Sequence, residues 1–359
     1  MNAPVNDLND HSEALRHRVT EAIGTHTPLC ICGGGSKAFY GRRAEGTPLS
    51  VTEHRGVINH EPTELILTAR CGTPLSEIES LLGRHEQMLP FEPPHFGPQA
   101  TLGGAVACGL SGPRRPWSGA VRDYVLGIRC INGKGEILAF GGEVVKNVAG
   151  FDASRLMTGA LGTLGIILDI SLKILPRPRE ERTLAFEMDA ARAIEQLNQW
   201  AASALPLSAA SHDGARLCIR LSGAPAAVAS AHKRLGGETL PDGGRHWEDL
   251  REHRHDFFQE DEPLWRLALP PATPPLPING ECLMEWDGGQ RWVKTALQAG
   301  IVREITARHG GHATLFRGGD RAGDIFHPLP PAMATIHKNL KLAFDPHGIF
   351  NPGRLYAEL

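Results

Sequence analysis

Three clusters of small residues in this 359-residue chain are spaced for binding more than for building a core. They read CGGGSK at 32–37, PQATLGGAVACGLSG at 98–112 and GALGTLG at 159–165. Glycine reaches backbone conformations closed to other residues and puts no side chain in a ligand's way. In the first cluster Gly33, Gly34 and Gly35 can turn several N–H groups toward one point, and Ser36 and Lys37 add a hydroxyl and a cation to that anion nest. The loop is neither a Walker sequence nor the Rossmann G-x-G-x-x-G, since position 38 is alanine. In the second cluster only Leu102, Val106 and Leu110 could fill much core, and nothing is charged. Such backbone suits something flat or anionic, for instance a nucleotide cofactor, and all three clusters are expected to meet around one such molecule.

Metal and thiol chemistry is poorly supplied by comparison. The cysteines (Cys30, Cys32, Cys71, Cys108, Cys130, Cys218, Cys282) are scattered, and Cys30 and Cys32 have no second pair to complete a four-ligand zinc or iron–sulfur pattern. Reduced, mostly buried thiols are expected. The 17 histidines include no H-E-x-x-H. His253 and His255 lie in WEDLREHRHDFF at 247–258, which reads as helical. Positions i and i+2 of a helix point apart, so no metal is expected there.

The elements that must position these clusters follow from periodicity. Residues 10–23 form an amphipathic helix with Asp10 and Glu13 as a capping box. Residues 29–32 form a short buried strand opening into the first glycine loop. Residues 64–71 form a strand, followed by a helix with Thr73 as cap and Pro74 in its first turn. Residues 124–131 and 136–140 pair as a hairpin across Asn132-Gly-Lys-Gly135. The segment KNVAGFD at 146–152 leads to the third cluster, and residues 166–175 alternate as a half-buried strand. Beyond residue 180 come strands at 183–187, 216–221, 282–286 and 313–317. Helices are expected at 189–202, 224–235, about 293–309 and about 333–343. The proline-dense run at 270–277 is a surface connection.

Composition bounds the rest. Two domains are the default at this length. Hydrophobic residues at 41% and charged residues at 21% are ordinary for a globular chain. Lys plus Arg is 37 against 40 for Asp plus Glu, a net charge of -3. There is no electrostatic case for nucleic acid or an anionic membrane. No apolar run is long enough to span a bilayer, and the N-terminal residues are acidic and polar, so the cytoplasm is expected.

With the clusters in place, the first half resembles the FAD-binding domain of the vanillyl-alcohol oxidase/p-cresol methylhydroxylase (PCMH) superfamily. CGGGSK, TLGGAVACGLSG at 101–112 and GALGTLGII at 159–167 carry that likeness. KNVAGFDASRLMTGALGTLG, the WEDLRE…PLWRLALP stretch and FDPHGIFNPGR extend it over almost the whole chain, which resembles the FAD-binding subunits of bacterial glycolate oxidases (glycolate dehydrogenases). The resemblance implies an α+β architecture: a two-subdomain PCMH-type FAD-binding domain at 1–178 and a smaller α+β cap domain at 179–344. A C-terminal tail at 345–359 would pack back toward the FAD domain. It implies that Gly33, Gly34, Gly35, Ser36 and Lys37 take the FAD pyrophosphate and that Thr101, Gly103, Gly104 and Gly112 line the ribityl and flavin. Gly162, Gly165 and the backbone of Ile166 would pass near the adenine and pyrophosphate. Relatives that attach FAD covalently often carry a histidine in the first glycine loop. This chain has none there, so non-covalent FAD is expected.

The function implied is oxidation of glycolate, a 2-hydroxy acid, to glyoxylate in a heteromeric complex. The partners implied are a related flavoprotein subunit and an iron–sulfur subunit, meeting the inner face of the membrane only through the complex. A stand-alone FAD-dependent 2-hydroxyacid dehydrogenase and a non-catalytic FAD electron-transfer subunit are the alternatives. A third is an NADPH-using sugar-nucleotide reductase, against which the cap and tail motifs argue. Substrate oxidation needs a base and a carboxylate-binding cation. Arg317, Arg321, His327, His347 and Arg354 stand in late loops as candidates, and the sequence selects none as catalytic.

Overall fold

The computed structural model describes residues 8–142, 151–259 and 261–359, with backbone alone at 151 and 152. The segment at 146–152 therefore lies outside the described residues except for that backbone.

The N-terminal half builds two small layers around one core. Helix Ser12–Thr25 covers strand Leu29–Cys32, which pairs in parallel with Thr47–Ser50. Beside it stands a five-stranded antiparallel sheet in the order Val57–Glu61, Ile66–Arg70, Ile166–Lys173, Val125–Ile131, Ile137–Gly141. The hairpin falls where its turn residues place it, Asn132 Oδ1 accepting the N–H groups of Lys134 and Glu136 at 3.0 Å each. Helix Leu75–Gly83 begins one residue later than expected, because the Thr73 hydroxyl bonds Arg70 O (2.7 Å) and Gly56 N (2.9 Å) instead of capping it. The first helix likewise lacks the expected capping box, since Asp10 Oδ1 accepts from Ser12 N at 2.9 Å.

Two expectations change in kind. Strand Ile166–Lys173 is central and buried on both faces, not half-buried. Its polar residues are satisfied inside: Asp169 meets Arg129 and His54, and Ser171 meets Thr68 at 2.9 Å. Within residues 98–112, Leu102–Cys108 is a helix capped by Thr101, whose Oγ1 accepts Gly104 N at 3.2 Å. Its small residues allow close packing, while Leu102, Val106 and Leu110 are buried. Burial of each such side chain contributes about 1.5–3 kcal/mol.

The second half is an eight-stranded antiparallel sheet with its own cores. Its order is Glu238–Thr239, Glu180–Glu187, Arg216–Gly223, Leu207–His212, Glu281–Glu285, Gln290–Lys294, Leu264–Ala268, His312–Arg317. Helices Ala190–Ala201, Pro225–Leu235, Gly243–Arg251 and Ala299–Arg308 accompany it. The helix expected from about 293 starts only at Ala299, because Gln290–Lys294 is an inner strand between Glu281–Glu285 and Leu264–Ala268. His253 and His255 fall in a turn after helix Gly243–Arg251, with His253 at φ 53°. The chain then returns: Leu340 and Phe344 of helix Pro331–Phe344 pack against the first core, as do Ile349 and Phe350.

Candidate cofactor site

The three small-residue clusters line one cleft, with about 170 Å³ open to the centres of water molecules. Strand Leu29–Cys32 delivers the first loop, helix Leu102–Cys108 forms a wall, and the loop before strand Ile166–Lys173 closes another side. Of the residues singled out from sequence, Gly33, Gly34, Gly35, Ser36, Lys37, Thr101, Gly103, Gly104, Gly162 and Gly165 line it. Gly112 and Ile166 do not. A Cβ on Gly112 would meet Glu92 O at 2.4 Å, and Gly112 O accepts the Trp286 indole N–H at 3.1 Å, so it serves the joint with the cap. Ile166 is fully buried in the sheet, and its neighbour Ile167 reaches the cleft.

The glycines divide by what they face. A Cβ on Gly34 would lie 1.5 Å from Gln99 O, and one on Gly103 would lie 2.6 Å from Cys71 Cβ, so protein packing requires both. A Cβ on Gly104 would meet only Thr101 Oγ1, at 3.2 Å, and otherwise stand in the cleft. Gly35, at φ 74°, has nothing within 4 Å of that position.

The N–H groups divide in the same way. Those of Leu102, Gly103 and Gly104 are used by Thr73 O, Cys71 O and Thr101 Oγ1. The helix end is therefore a wall and not an anion site. Among the described residues, no hydrogen bond engages the amide N–H groups of Gly33 to Lys37. The Lys37 side chain is 7% exposed; its Nζ donates to His95 O at 3.1 Å and Ser36 Oγ at 3.4 Å. Burial holds its pKa below the usual lysine range. No carboxylate among the described residues forms an ion pair with it. A loop of unengaged amides beside a buried ammonium is the chemistry of an anion site.

Sequence reasoning missed the C-terminal staple. Asn351 Oδ1 accepts Ile31 N (2.8 Å) and its Nδ2 donates to Leu161 O (2.6 Å), tying the first strand to the third glycine cluster. Lys341, buried in helix Pro331–Phe344, donates to Thr163 O, Phe350 O and Asp345 Oδ2 at 2.7–2.8 Å. The tail motif FDPHGIFNPGR was visible, but nothing local says that its asparagine bonds residues more than a hundred positions away.

Of the late-loop candidates, Arg354 lines the cleft and donates to Ala38 O and Tyr40 O. Arg321 braces Phe39 O and Gly41 O, and Arg317 donates to His253 Nδ1 at 3.0 Å. His327 Nδ1 accepts Ala313 N at 3.4 Å, and His347 is exposed. Cys30, Cys32, Cys71 and Cys108 also line the cleft, and burial pushes the Cys108 thiol up to about 11. His253 is stacked on Phe258 and buried, which holds it neutral. Over the joint with the cap, Phe96, His253, Trp292 and Phe316 leave only about 20 Å³ open to water centres. That is room for about one or two waters.

Fold and cleft together define an FAD-binding protein: residues 9–141 match the family described as FAD binding domain. The cleft fits that group, since Gly104 leaves the space a side chain would take and the first loop offers amides and a cation. The chain belongs to the family of the glycolate oxidase subunit GlcE of Escherichia coli (strain K12), with 48% identity over 350 residues, 98% of this chain and 99% of that one. It is also similar to the glycolate oxidase subunit GlcD of Bacillus subtilis (strain 168), 39% identical over 85 residues, covering 24% of this chain and 18% of that protein. A D-lactate dehydrogenase of Archaeoglobus fulgidus is 31% identical over 161 residues, 44% of this chain and 35% of the other. An alkyldihydroxyacetonephosphate synthase shares the fold, with a TM-score of 0.67 at 16% identity, over 96% of this chain and 76% of that one. Among the described residues, no helix is long and apolar enough to cross a membrane.

Proposed function

We propose that this chain is the FAD-binding subunit of a glycolate oxidase-type complex that oxidises glycolate, a 2-hydroxy acid, to glyoxylate. Electrons would leave through an iron–sulfur partner, beside a related flavoprotein subunit. The observation that carries the reading is the convergence of three glycine clusters on one cleft, in a chain similar from end to end to a glycolate oxidase subunit. Bound FAD would supply the acceptor for the hydride, and with it the two electrons, that CH–OH oxidation releases. In this reading the amides of Gly33 to Lys37 and the Lys37 ammonium hold the pyrophosphate. Gly104 gives the cofactor its space, and Asn351 and Lys341 keep the loops at their spacing.

In this reading FAD is held non-covalently, which a first glycine loop without histidine and a Cys108 thiol raised by burial to about 11 support. In domain terms the FAD-binding unit extends to about residue 178, the cap follows, and the return begins at helix Pro331–Phe344, ahead of the tail at 345. The complex works in the cytoplasm and meets the inner face of the membrane only through its partners.

One observation favours a narrower reading, in which this subunit's FAD passes electrons while the related subunit oxidises substrate. The space at the joint between cleft and cap is narrow, lined by Phe96, Trp292 and Phe316 together with His253, Arg266 and Glu285. The test assays the isolated chain and the co-expressed complex side by side with glycolate and an artificial acceptor. Turnover confined to the complex supports the proposal; equal turnover per FAD in both preparations shows a complete enzyme and defeats the subunit reading.

A further inference from the structure

Lys37 reaches the cleft from a buried position, and the shorter of its ammonium's two hydrogen bonds, ahead of the one to Ser36 Oγ at 3.4 Å, is to a single peptide group. The carbonyl of His95 accepts from Lys37 Nζ at 3.1 Å. The other end of that same peptide, the Phe96 N–H, donates to Glu252 Oε2 at 2.8 Å. His95 N also donates to both Glu252 oxygens at 3.1 Å. Glu252 belongs to the cap, at the end of helix Gly243–Arg251, and its side chain is 7% exposed. Arg251 Nε, at 2.8 Å, is its ionic partner. The peptide thus stands between a cap carboxylate and a cleft ammonium, its N–H toward the anion and its C=O toward the cation. That orientation is favourable for both charges, and charged partners strengthen each hydrogen bond.

The backbone here is held in a strained conformation. Phe96 sits at φ 50°, a region a bulky side chain rarely adopts, and it persists where surroundings over-determine it. Glu252 supplies that constraint, with three contacts to two successive N–H groups. The Phe96 ring also lies 5.8 Å from Lys37 Nζ, so the same loop presents a carbonyl and an aromatic face to one ammonium.

We infer that Glu252 is a positioning residue for the cofactor site: by clamping the 95–96 peptide, the cap directs the Lys37 ammonium at the anionic part of FAD. This rests on the FAD reading above and extends it, because it makes cofactor affinity depend on a carboxylate that lines no part of the cleft. It also gives the cap a role in holding the cofactor that needs no movement of the glycine loops.

The test is fluorescence titration of FAD into the apoprotein of five chains: wild type, Lys37→Met, Glu252→Ala, Glu252→Gln and Glu252→Ala with Lys37→Met. Thermal melts of each apoprotein run alongside. Glu252→Ala is expected to weaken FAD on the order of tenfold. Glu252→Gln, which keeps an acceptor for Phe96 N–H, should weaken it less. The double variant should bind no more weakly than Lys37→Met alone, because Glu252 acts through Lys37. A purely structural role would lower the melting temperature and leave the Glu252→Ala loss undiminished in the Lys37→Met background; that result overturns the proposal. Wild-type affinity in both Glu252 variants overturns it as well, while leaving the FAD reading intact. A wild-type chain that takes up no FAD removes the reading and the proposal together.

Discussion

The cap sheet and the cofactor cleft both bury charge, and they satisfy it in opposite ways. In the cap, Arg291 is 1% exposed and donates to the carbonyls of Pro274, Thr273 and Gly288. Glu285 accepts from the Trp292 indole at 2.6 Å and from Gln290 at 3.1 Å, and Lys294 meets Glu281 at 2.7 Å. Each of those charges is closed by protein. In the cleft, among the described residues, Lys37 has one carbonyl, one hydroxyl and no carboxylate, beside a run of unengaged amides. Buried polar groups are nearly always paired, so a group left short of partners points to something that arrives from outside. The comparison separates charges that hold the fold from the one to which the proposed function gives a ligand.

The largest expected effect breaks the cleft directly. Gly104→Val should abolish FAD binding and leave the apoprotein folded, because its Cβ enters the cleft and meets only Thr101 Oγ1. Gly133→Val, in the hairpin turn, should do the reverse. A Cβ there would lie 2.4 Å from Asp345 Oδ1 and 2.6 Å from Asp345 Cα, and overpacking of that kind costs about 1–3 kcal/mol. Melting curves and FAD titration distinguish the two; equal unfolding of both would show Gly104 to be a structural glycine.

Two buried lysines sharpen the comparison next. Lys341→Met strips three contacts and leaves the buried Asp345 carboxylate with two backbone N–H donors but no counter-ion, a loss of about 3 kcal/mol in urea denaturation. Lys37→Met should cost the apoprotein less than about 1 kcal/mol, since burial already disfavours its charge and no ion pair is lost. A Lys37 variant as destabilised as the Lys341 variant would erase the distinction between the two kinds of charge.

A pH-dependent effect, spread over about three pH units, belongs to the cap alone. Burial raises the Asp287 carboxyl to about 7, outweighing the opposing influence of the nearby Trp117 indole, and among the described residues its Oδ1 has no partner in hydrogen-bond geometry. The native state keeps a proton there that the unfolded chain has lost above its ordinary value near 4. Stability should therefore fall as pH rises from about 4 to about 7, by up to about 1.4 kcal/mol per unit, and level off above. Asp287→Asn should flatten that slope in denaturation profiles taken across the range. An unchanged slope would show that Asp287 is ionised in the native protein.

Much of the cleft was legible because glycine spacing is a local property of sequence. Gly33 to Lys37 follow a buried strand, and Thr101 precedes Gly103 and Gly104, so ten of the residues singled out do line one space. The hairpin was equally local. The helix Leu102–Cys108 was not visible, because its turns carry alanine, glycine and cysteine where periodicity needs large apolar residues. Strand Gln290–Lys294 was hidden for a related reason: every residue of it is buried, including Gln290, Arg291 and Lys294, which read as surface. Asn351 and Glu252 were beyond reach because their partners, Ile31 and Phe96, are set by tertiary packing and leave no mark nearby in sequence.

The central claim is that the cleft holds one FAD without a covalent bond. The purified chain, reconstituted with FAD and desalted, is precipitated with acid, and flavin is measured in supernatant and pellet. One FAD per chain, all of it in the supernatant, is the result predicted. Flavin that stays with the denatured polypeptide would contradict the non-covalent site, and a chain that retains no flavin through desalting would contradict the cleft's assignment altogether.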